Sequence, residues 1–188
     1  MKSDLQTRLY YDQENTVEVI LVAVRSTGSR FFVDVFEQAG IKNHGKGGIT
    51  GIGLLGEGLH TSHCEPIHMN RLEHRVRDCP LFLTMRHPRK VAQSWINRGW
   101  AIGSLFFAEW YNLFWLHEKY DGHWLPLDTP DRDERLHDAS EIIGVKLTTD
   151  WEPLATTETS FKPRGMTVEQ AMKALRVMPF PYYMKELL

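Results

Sequence analysis

VEVILVAVRSTGSRFFVDVFEQAG, residues 17–40, is the stretch on which the fold turns. Residues 17–24 are β-branched or apolar but for Glu18, which reads as a strand covered on both faces and therefore parallel to its neighbours. A turn follows, Arg25-Ser26-Thr27-Gly28-Ser29-Arg30. Residues 31–39 then read as a helix, with Gly40 as its stop. A buried strand, a glycine turn and a helix make an anion site, because the first helical N–H groups have no partner and the helix dipole favours negative charge. Gly28 lets an anion approach the backbone closely, while Arg25 and Arg30 add positive charge. The same pattern also serves as a plain connection between a strand and a helix.

Outward from this stretch, the pattern recurs. LFLTMRHPRKVAQSW, residues 81–95, places an apolar strand before Arg86, then Pro88 at the first position of a helix predicted to run to about Arg98. An arginine at a strand end can fork onto a phosphate with two charge-assisted hydrogen bonds. Ser94 lies nearly two turns further on, so its hydroxyl can face the same side. Ser104 to Tyr120 is a helix apolar on most sides, which reads as core, with a subunit contact or one wall of a ligand pocket as alternatives. Residues 124–127 read as a strand, 131–143 as a helix closed by Gly144, and 167–177 as a helix opened by a Thr167/Gln170 capping box. Strands alternating with helices imply an α/β three-layer sandwich with a central parallel sheet.

Between the two turns the signals are weaker. Residues 41–58 hold seven glycines, a loop with a short strand near Ile52 to Leu55. With His44 and Lys46 it reads either as a lid or as disordered chain. Residues 59–64 read as a short strand with His63 near its end. His60, His63, Cys64 and His68 raise a zinc alternative, but their spacing matches no common zinc pattern, and residues 60 and 63 of a strand face opposite ways.

A chain of 188 residues is enough for one compact domain, 1–188, and short for two. The formal net charge of −2 argues against a nucleic-acid partner. Two cysteines cannot build a disulfide framework, so a reducing compartment is expected. The N-terminus is polar, and no run approaches the roughly 18 apolar residues of a membrane span. Taking Met1 as the natural start, a cytoplasmic protein without a membrane partner is expected.

The residues 24–36, VRSTGSRFFVDVF, resemble the phosphosulfate-binding loop of sulfotransferases that use 3′-phosphoadenosine-5′-phosphosulfate (PAPS). In the heparan-type version, Val-Arg-Lys-Gly-Gly-Thr-Arg, the residues Val24, Arg25, Gly28, Ser29 and Arg30 fall in register, and Ser26 stands where that family has lysine. A second register, with one inserted residue, resembles the Pro-Arg-Ser-Gly-Thr form and gives Arg25 the cationic role. Arg86 and Ser94 resemble the family's 3′-phosphate motif, an Arg-x-Pro with a serine eight residues after the arginine. Thr61-Ser62-His63 resembles the Lys-Thr-His strand end of the cytosolic members. Residues 124–147 resemble the late strand and helix, with Asp128, Pro130, Leu136, Ile143 and Gly144 at the matching places. Lys162-Pro163-Arg164-Gly165 resembles the family's basic loop less closely than it does a solvated charge cluster.

This resemblance implies a P-loop-NTPase-like topology with PAPS as co-substrate and no metal. Arg25, Ser26, Thr27, Gly28, Ser29 and Arg30 would hold the 5′-phosphosulfate. Arg86 and Ser94 would hold the 3′-phosphate, Arg25 would offset charge on the leaving phosphate, and His63 would take the acceptor's proton. The acceptor would be a hydroxyl or amine of a small molecule or glycan. Ser26 in place of lysine motivates the alternative, a nucleotide-binding module without catalysis. A P-loop kinase or NTPase is disfavoured, since Gly28 is followed by Ser29-Arg30 and not by Lys-Ser/Thr.

Overall fold

A computed structural model of the protein describes residues 17–44, 58–76, 79–148 and 163–178. Within them the chain forms β1 (Glu18–Ala23), α1 (Ser29–Gln38), β2 (Gly58–His63), α2 (Pro66–Arg75), β3 (Leu81–Met85) and α3 (Pro88–Asn97). There follow β4 (Ala101–Ile102), α4 (Ser104–Tyr120), β5 (His123–Pro126), α5 (Arg132–Ile143), β6 (Arg164–Gly165) and α6 (Val168–Val177). The expected strand at Ile52 to Leu55, Lys46 of the glycine-rich loop and Lys162 lie outside the described residues.

Four strands make a parallel sheet in the order β2-β1-β3-β5. The expected α/β architecture with a central parallel sheet and helices on both faces is what the structure shows. The period-2 alternation of a strand divides the residues of β1 between two cores. Ile20 and Val22 pack with Trp95, Trp110, Leu113 and Leu175, from α3, α4 and α6. Val19 and Leu21 pack with Phe32, Phe36, Leu136 and Ile143, from α1 and α5. β1, central and covered on both sides, thus has the continuous apolar run that such a position requires.

Two features had no clear trace in the sequence. Helix α2 carries only a narrow apolar stripe, with Leu72 buried, Met69 packed against the same core and Val76 buried at the C-cap that follows. The pair β4–β6 has two residues per strand, too few to show a period. That pair does give Arg164 and Gly165 a place in the fold, parallel to Ala101 and Ile102. The helix starts expected at Pro88 and Thr167 are as observed, the latter with both hydrogen bonds of its capping box. Among the described residues, no helix is long and apolar enough to cross a membrane.

Candidate functional site

Parallel pairing brings four strand ends together. Ala23 at the end of β1 lies opposite His63 of β2 and Thr84 of β3, and Met85 lies opposite Pro126 of β5. The segments leaving these strands therefore open on one carboxyl edge, the side on which open α/β sheets bind ligands.

The first turn is built around Thr27. Its side chain is fully buried, its hydroxyl donates to the Val24 carbonyl at 2.7 Å, and it lies 2.5 Å from the Thr84 hydroxyl at the end of β3. The Thr27 N–H also bonds the Val24 carbonyl. Ser26 and Gly28 on either side have positive φ, 73° and 93°. Backbone of alternating hand turns successive N–H groups toward one point and forms an anion-binding concavity. Gly28 is the N-cap of α1 and carries no capping side chain, so the N–H groups of Ser29 and Arg30 open the helix without intrahelical acceptors. The buried Ser26 hydroxyl has no hydrogen-bond partner among the described residues. Arg30 is exposed beside the turn.

Arg25, expected to face the phosphosulfate, is held from below. Its guanidinium pairs with Glu65, and its Nη1 with Glu109 Oε1 at 2.8 Å. Its N–H donates to Glu109 Oε2 at 2.9 Å, and its carbonyl accepts from Trp95 Nε1 at 3.0 Å. The guanidinium also lies 5.9 Å from the Trp95 ring and 6.0 Å from the Trp100 ring. Glu109 is fully buried, and burial, outweighing the Arg25 N–H and charge, raises its pKa to about 7. Sequence reasoning missed both acids. The signal for Glu109 was a lone carboxylate inside the apolar run of α4.

His63 sits at the adjacent strand end, with Nδ1 4.0 Å from Glu65 Oε1. Burial first, and the Arg25 charge second, lower its pKa to about 4, against the weaker pull of Glu65. The imidazole is therefore neutral across the physiological range. Its unfolded pKa is near 6.5, so the stability linked to His63 is present above that value and is lost as the pH falls through about 4. An NMR titration should find the His63 ring unprotonated at pH 5.5, and a midpoint near 6.5 would contradict this environment.

The second turn leaves β3 one strand away. The Arg86 Nε faces Asp128 Oδ2 at 3.4 Å, Lys90 Nζ reaches the same oxygen at 2.7 Å, and the His87 N–H donates to Asp128 Oδ1 at 3.3 Å. Burial works to raise the Asp128 pKa, but the bonds from Lys90 and His87 and the two cations outweigh it and hold it below the ordinary value. Arg86, His87, Lys90 and Asp128 line a cleft of about 90 Å³ with Met85, Pro126 and Thr129. With Nε directed at Asp128, the terminal nitrogens of Arg86 have no partner among the described residues. Ser94 is half-buried on α3, one turn beyond Lys90 on the same helix face.

The two turns are joined. Besides the Thr27–Thr84 contact, Gly28 lies against Leu127, the neighbour of the Asp128 that meets Arg86. Compared with protein-family models, with curated proteins and with solved structures, the chain matches none.

The residues of the zinc alternative are engaged separately. His60 stacks on His44, with ring centroids 5.3 Å apart, and faces Glu18 at 3.4 Å. Cys64 is fully buried, and burial followed by the Glu109 charge pushes its thiol well up. Among the described residues, no three His, Cys, Asp or Glu side chains are grouped to hold a metal ion.

Proposed function

We propose that the protein transfers a sulfuryl group from PAPS to a hydroxyl or amine acceptor, on a single domain of P-loop-NTPase-like topology. The observation that carries this reading is the pair of tied anion turns on adjacent parallel strands, with His63 at the third strand end beside them. The central position of β1, from which the first turn leaves, favours the topology.

The residues present fit the ligand. The 5′-phosphosulfate would meet the N–H groups at Gly28, Ser29 and Arg30, the orphaned hydroxyl of Ser26 and the exposed Arg30. The 3′-phosphate would meet the terminal nitrogens of Arg86, with Ser94 and Lys90 on the helix that follows. In the transfer step the acceptor oxygen or nitrogen bonds to sulfur as the bond from sulfur to the bridging phosphate oxygen breaks. The acceptor's proton goes to the neutral His63. The electron pair leaves on the 5′-phosphate, where the turn's N–H groups stabilise the developing charge. Arg25, already matched by two carboxylates, contributes less there than its position in the motif implies.

Calorimetry should show that 3′-phosphoadenosine-5′-phosphate binds without Mg²⁺, and labelled PAPS should yield a sulfated product from an acceptor panel. Absence of binding at millimolar ligand would remove the proposal. A second reading, a nucleotide-binding module without transfer, is favoured by Ser26 in place of lysine and by the double pairing of Arg25. It predicts the binding without the product.

A further inference from the structure

Helix α4 sends one acid into the interior beneath the first turn. Glu109 is fully buried among Phe106, Trp110 and Leu113 of its own helix, and both of its oxygens meet Arg25. Oε2 accepts the backbone N–H, and Oε1 stands 2.8 Å from Nη1 as an ion-pair contact without hydrogen-bond geometry, so the carboxylate touches main chain and side chain of a single residue. That residue directly precedes Ser26, where φ turns positive. A left-handed conformation at a residue other than glycine persists only where its surroundings enforce it. Trp95 holds the Arg25 carbonyl, which leaves Glu109 as the group that fixes the entry to the turn at its donor side.

We propose that Glu109 is a positioning residue for the anion-binding turn: its carboxylate, by clamping Arg25 at two points, sets the backbone of residues 25–28 in the form that presents N–H groups to an anion. The proposal rests on the anion-binding reading of that turn. Desolvation of a buried carboxylate works against its attraction to the arginine. Here burial prevails, since the carboxyl is pushed up to about 7. What the clamp supplies is geometry: two contacts on Arg25 at the entry to the left-handed Ser26. The charged or titratable groups that face it are Arg25, Glu65 behind Arg25, and Cys64, with His63 and His68 next along β2 and α2.

The test is the isosteric variant Glu109→Gln in the full chain. At pH 8 circular dichroism should show the variant folded, with Glu65 still paired to Arg25. Amide exchange at residues 25–30 should nonetheless lose about tenfold in protection relative to the amides of β1 and β3. Binding of 3′-phosphoadenosine-5′-phosphate should weaken by about tenfold at pH 8, and the difference should close toward pH 6, where the wild-type carboxyl is itself protonated. A turn that keeps its protection in the folded variant overturns the proposal. Should the variant fail to fold, the wild type carries the test, since protection at 25–30 must fall between pH 8 and pH 6 while the sheet keeps its own. The exchange arm needs no ligand, so a protein that binds no nucleotide would refute the proposed function and leave this test standing.

Discussion

Gly28→Ala is expected to lower the free energy of unfolding by about 2–4 kcal/mol and to remove anion binding at the first turn. Two costs combine. At φ 93° a side chain is strained, by about 1 kcal/mol or more. The new methyl would also stand 2.5 Å from Leu127 Cδ2 and 2.8 Å from Cδ1. Leu127 is buried in the core with Phe31, Leu125 and Leu136, so it cannot swing into solvent, and overpacking of this kind costs about 1–3 kcal/mol. Gly99 separates the two terms, because it has φ +71° and nothing within 4 Å of the position a methyl carbon would take. Gly99→Ala should show the backbone cost alone, about 1 kcal/mol. Urea denaturation of the two variants checks both values. Equal losses would mean that Leu127 does not pack against the turn.

Arg86→Ala should weaken binding of 3′-phosphoadenosine-5′-phosphate by about 2 kcal/mol, roughly thirtyfold, as expected for a charged hydrogen-bonding group lost from a phosphate. Folding should change far less. Asp128 would keep Lys90 at 2.7 Å and the His87 N–H at 3.3 Å, so its charge would not be left alone. Arg86→Lys retains the charge and loses the fork, and should recover only part of the affinity. Calorimetry on the three proteins, with circular dichroism to confirm folding, decides the matter. Wild-type affinity in Arg86→Ala would show that the cleft beside Asp128 is not a phosphate site.

What could be read along the chain was what depends on near neighbours. The apolar run of residues 17–24 is legible as a doubly covered strand because burial on both faces tolerates no polar alternation. Pro88 and the Thr167/Gln170 pair mark helix starts because a missing N–H and a capping hydroxyl act within one turn. The strand, turn and helix around Gly28 follow from the same short-range rules, as does the parallel sheet implied by the alternation of elements. The partners of the charges were not legible. Arg25 meets Glu109 across 84 residues and Glu65 across 40, and Arg86 meets Asp128 across 42. Such pairs exist only because strand order and register carry distant positions to one edge, and neither period nor propensity encodes which acid will arrive there. The folded arrangement alone turned the arginine of the first turn from a free cation into a clamped one, since a charge withdrawn from water must take whatever counter-charge the packing brings within reach.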